Sequence, residues 1–265
     1  MAFRRLLRGT VDRSTLEGVG EHLRDHYDLA DATLEPLEAN NWLSTPFVVD
    51  DRLFVKVITP QNALVHALMT AGRNLGVFAS GVEGFFERYD EPYEMAEHEL
   101  AATRRMRELG VHAPEPIEAF EFDGLGVLVL EYIPEYRTLD DLAPEAVAAR
   151  APELFEALAT MHAADIVHGD LRSENVLLAD DHLYFIDATK VRADAAGDAA
   201  AYDVACALAV LESLVDAKTA VRAATAVFDD ETLLAALEFL DFVTVRPDHD
   251  FDAVAVKGEI ETAVA

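Results

Sequence analysis

Three oxygen-bearing side chains of this sequence stand at spacings suited to chemistry. Asp170 and Asn175 lie in Val167-His168-Gly169-Asp170-Leu171-Arg172-Ser173-Glu174-Asn175-Val176-Leu177, and Asp187 closes Tyr184-Phe185-Ile186-Asp187. The chemistry they suit is phosphoryl transfer from ATP. That reaction needs a carboxylate to accept the nucleophile's proton and further oxygens to hold Mg²⁺ on the phosphates. Asp170 is the candidate base. Asn175, five residues on, offers a neutral carbonyl oxygen to the metal, and Asp187, at the end of the next strand, offers a charged one. Mg²⁺ prefers such hard oxygen ligands and keeps waters and substrate phosphates beside them. The competing reading is a plain turn between two strands, since Asp and Asn also suit turns.

The rest of the constellation lies upstream. Lys56, in Leu53-Phe54-Val55-Lys56-Val57, is expected on a strand with its ammonium directed at the α- and β-phosphates. It requires a carboxylate partner, for which Glu99 in the following helix is the candidate. Glu97 is the fallback, but it lies about 200° around a helix from Glu99, so only one of the two can face the lysine. Taken singly, Lys56 reads as a snorkelling surface lysine and Glu99 as a solvated helix residue. The backbone from Glu131 to Ile133, where an apolar strand runs into Pro134, is a candidate adenine-binding edge, on the argument that a broken strand leaves main-chain groups unpaired. Arg172 is placed to neutralise the transferring phosphoryl, or is an exposed loop arginine. Asp203 reads either as an acceptor for catalytic-loop amides or as an acid near a helix N-terminus. The phosphate cover would be Leu37 to Thr45, which contains no glycine; Asn40 and Asn41 can adopt left-handed turns and Ser44 can donate a hydrogen bond.

These residues must be positioned by two kinds of structure. A short helix is expected from Ser14 to Tyr27, then strands at Thr33–Leu37, Pro46–Val49 and Leu53–Ile58, with Asp50-Asp51 as a tight turn. The segment 59–92 reads as an insertion loop with a short helix at Ala63–Met69. A helix from Glu94 to Leu109 ends at Gly110, and Pro116–Phe122 and Leu125–Tyr132 form a hairpin through Asp123-Gly124. Helices are expected at Pro144–Ala164, Ala199–Val215, Ala220–Phe228 and Glu231–Phe242, with two small strands after the catalytic loop. Sheet first and helices second implies an α+β fold in two lobes with a cleft between them. The expected divisions are a helical extension at 1–30, an N-lobe at 31–133 and a C-lobe at 134–265.

Composition narrows the setting. The 265 residues carry 50 acids against 21 bases, a formal charge of −29, yet 51% are hydrophobic, which argues against disorder. That charge far exceeds the magnitude of about 2–8 suited to a small soluble domain. Its even spread, with lysine only at positions 56, 190, 218 and 257, points to a very salty cytoplasm, where the Debye length falls to roughly 3 Å at 1 M. A basic partner or an unusual mesophile are the alternatives. The salt reading makes a direct prediction: the melting temperature rises steadily as KCl is raised into the molar range, and a melting curve indifferent to KCl would discard it. Cys206 is alone and offers no disulfide or metal spacing. The paired arginines near Met1 lack the apolar stretch of an export signal, and no run reaches eighteen apolar residues, so no membrane partner and a cytoplasmic setting are expected. His98 and His249 complete no ligand spacing and read as surface residues.

Together the motifs resemble the protein-kinase-like superfamily, most closely the atypical RIO kinases. The likeness is carried by His168-Gly169-Asp170-Leu171 with Asn175, where glycine replaces the usual arginine, and by Leu183-Tyr184-Phe185-Ile186-Asp187-Ala188-Thr189, which lacks Phe-Gly after the aspartate. The stretch Glu99 to Pro116 is also similar, and the resemblance covers about 34–215. Only fifteen residues separate Asp187 from Asp203, so a peptide-docking activation segment is expected to be absent. The resemblance implies a bilobal protein-kinase-like fold, with an N-terminal antiparallel sheet lobe bearing one helix and a mainly helical C-terminal lobe. It also implies ATP and Mg²⁺ as cofactors and serine/threonine phosphorylation, autophosphorylation or a regulatory ATPase cycle, often in small-ribosomal-subunit maturation. A ribosome-assembly factor or small-subunit precursor is then the implied protein partner. Arg172-Ser173-Glu174 looks more like general protein kinases. The thirty residues before the first strand are too few for the winged-helix domain of one RIO branch. The loop is also similar to that of aminoglycoside and choline phosphotransferases, which leaves a small-molecule kinase, or a non-catalytic nucleotide-binding switch, as alternatives.

Overall fold

The turn Val49-Asp50-Asp51-Arg52 carries consecutive aspartates at φ 56° and 50° and is closed by the Arg52 N–H donating to the Val49 carbonyl at 3.1 Å. Two left-handed residues in a row match the twist of the flanking strands, so β2 (Thr45–Val49) and β3 (Leu53–Ile58) pair antiparallel with Val49 opposite Leu53. Asp123 and Gly124, at φ 49° and 76°, do the same between β4 (Pro116–Phe122) and β5 (Leu125–Glu131). With β1 (Leu34–Pro36) these form an antiparallel sheet in the order β1-β2-β3-β5-β4. The structure, a computed structural model, describes residues 11–29, 34–37, 44–79, 83–246 and 249–265.

The chain divides into two compact units, one of Met1–Thr70, Arg88–Arg104 and Pro114–Pro134, the other of Ala71–Glu87, Arg105–Ala113 and Glu135–Ala265. In the first, helix α1 (Arg13–Tyr27) lays Val19 and Leu23 on one sheet face, against Val49, Val55, Val57, Val127 and Val129. The alternate residues Ile58, Leu128 and Leu130 face the other way and meet Ala63 of α2 (Pro60–Ala79) and Met95 and Ala96 of α3 (Pro92–Glu108). This period of two puts Lys56 on the α3 side, in step with Phe54 and Ile58. Gly126 makes the approach of α3 feasible: a Cβ there would lie 2.2 Å from the Pro92 carbonyl oxygen.

The second unit is mainly helical. It comprises α4 (Pro144–His162), α5 (Ala196–Leu214), α6 (Ala217–Thr225), α7 (Asp230–Thr244), α8 (Ala253–Ala263) and a small antiparallel sheet of β6 (Arg137–Thr138), β7 (Val176–Ala179) and β8 (His182–Phe185). Helix α5 is its axis, alanine-rich and buried nearly throughout; small side chains let neighbouring helices come close, as dense packing demands. Tyr202 of α5 sits among Phe85, Phe86, Phe239 and Phe242 with ring centroids 5.4–6.0 Å away. Cys206 is buried and free, its thiol pushed up to about 12 by burial, in keeping with a small hydrophobe.

Two expectations require correction. The segment 59–92 is not a loop with one short helix. Helix α2 runs twenty residues, from Pro60, with Thr59 and Asn62 exchanging hydrogen bonds at its start. The helix continues through Gly72 and Gly76, since a helical glycine costs only about 1 kcal/mol. His249 is not a surface residue: it is buried, and its N–H donates to the Arg246 carbonyl at 3.2 Å in the turn after α7. Helix α8 was not foreseen, since only Val256 and Ile260 of it are buried and two positions make a thin periodic signal. Among the described residues, no helix is long and apolar enough to cross a membrane.

Aspartate does much of the local shaping. Asp12, Asp216, Asp229 and Asp252 cap α1, α6, α7 and α8, each accepting from the backbone N–H three residues on at 2.8–3.0 Å. Among the described residues nine non-glycine residues have positive φ, and eight of them are aspartates: 28, 50, 51, 123, 165, 180, 181 and 187. The Ser14 hydroxyl holds the Asp12 carboxyl below its ordinary value, and the Thr219 and Thr232 amides do so for Asp216 and Asp229. Folded carboxyls of this kind bind protons more weakly than unfolded ones. The stability they add is therefore present above the unfolded value, near pH 4, and is lost as pH falls through the lower folded value. We expect the melting temperature to be level between about pH 7 and about pH 5 and to drop below about pH 4; a level melt into stronger acid would mean that the caps contribute nothing.

Candidate functional site

In the sheet unit, Lys56 Nζ lies 2.6 Å from Glu99 Oε1, with side chains 5% and 14% exposed. The pairing follows from strand alternation and from the seating of α3 on that face. Glu97 is exposed and receives the Tyr93 hydroxyl at 3.4 Å, so α3 offers Glu99 to the lysine. The Phe54 ring lies 5.8 Å from Lys56 Nζ and adds an apolar, π-rich wall. Ser44 is buried, and its hydroxyl has no hydrogen-bond partner among the described residues. The remainder of the expected phosphate cover, 38–43, lies outside the described residues. At the end of β5 the Glu131 amide is taken by the Glu115 carbonyl and the Tyr132 amide by the Arg52 carbonyl, both at 2.9 Å. The argument that this edge is left unpaired therefore fails for those two amides; Ile133 is the member of the trio outside both bonds.

In the helical unit the loop 167–175 is tied down at both ends. Asp203, fully buried, accepts from the His168 and Gly169 amides at 2.7 Å each and lies 3.2 Å from His162 Nε2. Of its two readings, amide acceptor is the observed one. A buried carboxylate taking two backbone N–H groups is strongly held. Gly169 has φ 73°, and a Cβ there would lie 2.5 Å from Thr189 Cγ2, so the local backbone and packing favour glycine. His168 is buried. Burial lowers its pKa, against the opposing pull of Asp203, Asp170 and Asp187, and its Nδ1 accepts from the Asp170 amide at 3.4 Å.

Asn175 ends the 3₁₀ turn Ser173–Asn175; its Nδ2 donates to the Asp170 carbonyl at 2.8 Å and its own carbonyl accepts from Ile186 at 3.1 Å. In the β7–β8 ladder Val176 is opposite Phe185, so Asn175 and Asp187 stand at the same end of that ribbon. Asp187 adopts φ 63°, a conformation Asp tolerates better than most residues but at some cost in strain, which concentrates at functional positions.

Asp170 is ringed by cations. Arg246 Nη2 is 2.9 Å and Arg73 Nη2 3.5 Å from its Oδ1, while Arg172 Nε is 3.3 Å from its Oδ2. Burial opposes its ionisation, but Arg172, Arg73 and Arg246 outweigh that and hold the carboxyl far below the usual carboxylate range. The carboxylate remains 20% exposed. Arg172 also pairs with Glu174. Neither Arg73 nor Arg246 emerged from the motifs, since one sits in the segment read as a loop and the other after the last expected helix. One signal was present: Pro60–Ala79 is a twenty-residue stretch with no acid, and Arg73 is its only arginine.

These elements make an α+β protein with an antiparallel sheet unit and a mainly helical unit. Residues 88–215 match the model of the RIO domain. The matched residues include Glu99, Asp170, Arg172, Asn175, Asp187 and Asp203 and leave out Lys56. The chain is also similar to the KEOPS complex subunit Bud32 of Pyrococcus abyssi, 36% identical over 93 residues, which make up 34% of this chain and 41% of that protein. Among solved structures it is similar to the PknI kinase domain of Mycobacterium tuberculosis, at 16% identity and TM-score 0.45 over 88% of this chain and 96% of that one. Another is the Cydia pomonella granulovirus kinase PK-1, at 17% identity and TM-score 0.40 over 66% and 57%.

Proposed function

We propose that the protein is an ATP- and Mg²⁺-dependent phosphotransferase, a RIO-like serine/threonine kinase or regulatory ATPase. The observation that carries this reading is the immobilised loop. Asp203 clamps the amides of His168 and Gly169, which fixes the Asp170 carboxylate, 20% exposed, between the buried Gly169 and Leu171. Each unit offers groups suited to the implied nucleotide: the sheet unit a buried ammonium held by a carboxylate, the helical unit two oxygen side chains at one end of a β-ribbon. When bound, the Mg²⁺ nucleotide supplies the activated phosphoryl group. Lys56, oriented by Glu99, would bind the phosphates, and Asn175 and Asp187 would hold the metal. Asp170 orients the acceptor hydroxyl and takes its proton, and Arg172 offsets charge that develops in transfer.

The RIO resemblance suggests work on small-subunit maturation factors, and the Bud32 likeness suggests a place beside partner proteins in a complex. The test is purified protein in molar KCl with labelled ATP, titrated with Mg²⁺, with and without cell extract. Label transfer or phosphate release that requires Mg²⁺ and is reduced in Asp187→Asn is expected. ATP binding without turnover under any of these conditions would favour a nucleotide-sensing switch instead.

A further inference from the structure

Half of the large apolar side chains left exposed among the described residues lie on one helix. Leu64, Leu68, Met69 and Leu75 of α2 are 61%, 65%, 46% and 73% exposed, whereas Tyr136, Leu234, Val245 and Val254 are scattered along the chain. At 100° per residue Leu64, Leu68 and Leu75 fall within about 40° of one another, and Ala71 and Gly72, also exposed, stand on the same side. The face is uncharged as well: Pro60–Ala79 holds no acid, in a chain with 50 of them. A Cβ built at Gly72 meets nothing within 4 Å. Glycine disfavours a helix, and among the described residues nothing crowds this position, so no contact within the chain asks for glycine there. A gap of this kind suits the close approach of a second helix.

We propose that this face of α2 binds the same face of a second copy of the chain, in an antiparallel helix pair. Knob and gap stand four residues apart on one side of one helix. A two-fold axis between two such helices therefore seats Leu68 of each copy at the partner's Gly72 and sets Leu75 beside the partner's Leu64. This is an isologous contact, one patch complementary to itself. Charge also selects the occupant. At a formal −29 two copies repel across acidic surface and can meet where there is no carboxylate, whereas a basic partner finds no acid on this face to pair with. Molar salt shortens the reach of the remaining repulsion to roughly 3 Å and leaves the apolar attraction in force. One helix pair falls short of the about 1,200 Å² buried in stable complexes, so the dimer is reversible and fills at high protein concentration.

The experiment is sedimentation of the full chain over a concentration series in molar KCl, using wild type, Leu68→Gln, Gly72→Gln and Leu234→Gln. Wild type is expected to pass from monomer to dimer, more readily as KCl is raised. Leu68→Gln and Gly72→Gln weaken the dimer about tenfold or more. Leu234→Gln, which alters an exposed leucine of α7, leaves it as in wild type. Gly72→Gln also separates association from folding: glutamine favours a helix over glycine, so the melting temperature of the dilute monomer holds or rises while the dimer weakens. A wild type that stays monomeric throughout, including one that captures some other protein through α2, would overturn the proposal. So would a dimer that survives both α2 variants, that Leu234→Gln weakens equally, or that loosens as KCl rises.

Discussion

Asp170→Asn lowers phosphotransfer by about 100-fold or more, with ATP binding retained, if Asp170 positions and deprotonates the acceptor. The exchange is nearly isosteric and leaves the loop's anchor, the two amide bonds to Asp203, intact. What changes is charge. The amide can no longer accept a proton, and Arg73, Arg172 and Arg246 lose the anion that faces all three. Breaking a partly buried ion pair by removing one partner costs about 3–5 kcal/mol where no water replaces it. Asp170 is 20% exposed, so hydration offsets part of this and a lowered melting temperature is expected without unfolding. Activity is to be measured with labelled ATP and stability by thermal melting of the same sample. Turnover equal to wild type would reject Asp170 as the base.

Lys56→Met is the second large effect. Lys56 and Glu99 are 5% and 14% exposed, and methionine keeps the apolar length of lysine while deleting its charge. Glu99 then faces an apolar strand without its lysine, a loss of about 3–5 kcal/mol, and phosphotransfer falls on the order of 100-fold through the missing phosphate clamp. The double variant Lys56→Met with Glu99→Leu separates the two consequences. An apolar pair of similar volume is often neutral or stabilising in place of a buried ion pair, so the melting temperature should return while activity stays lost. Recovery of activity with stability would show that the pair serves the fold alone.

Much of this was legible in the sequence for identifiable reasons. Asp50-Asp51 and Asp123-Gly124 fixed the hairpins because left-handed pairs have few residue solutions, and alternation then put Lys56 on the face opposite Val55 and Val57. The loop His168 to Asn175 was legible because its spacing is local. Asp203 could not be settled, since the amides it holds are 34 and 35 residues away. Arg246 was invisible for the same reason, 76 residues from Asp170. Helix α2 was read too short because the packing that holds it, with Ala63, Val65 and Val77 all buried in the folded chain, is not visible in the local sequence.

The eight left-handed aspartates bear on any attempt to recode the protein for dilute buffer. Exchanging acids for lysine, threonine or alanine to cut self-repulsion would treat every carboxylate as an interchangeable solvating group. At these positions the side chain also licenses a backbone geometry that β-branched or long residues resist. Asparagine and glycine remove the charge and keep the bend, so a low-salt variant should be drawn from Asp→Asn at the left-handed positions other than Asp187 and from freer exchange on helix surfaces.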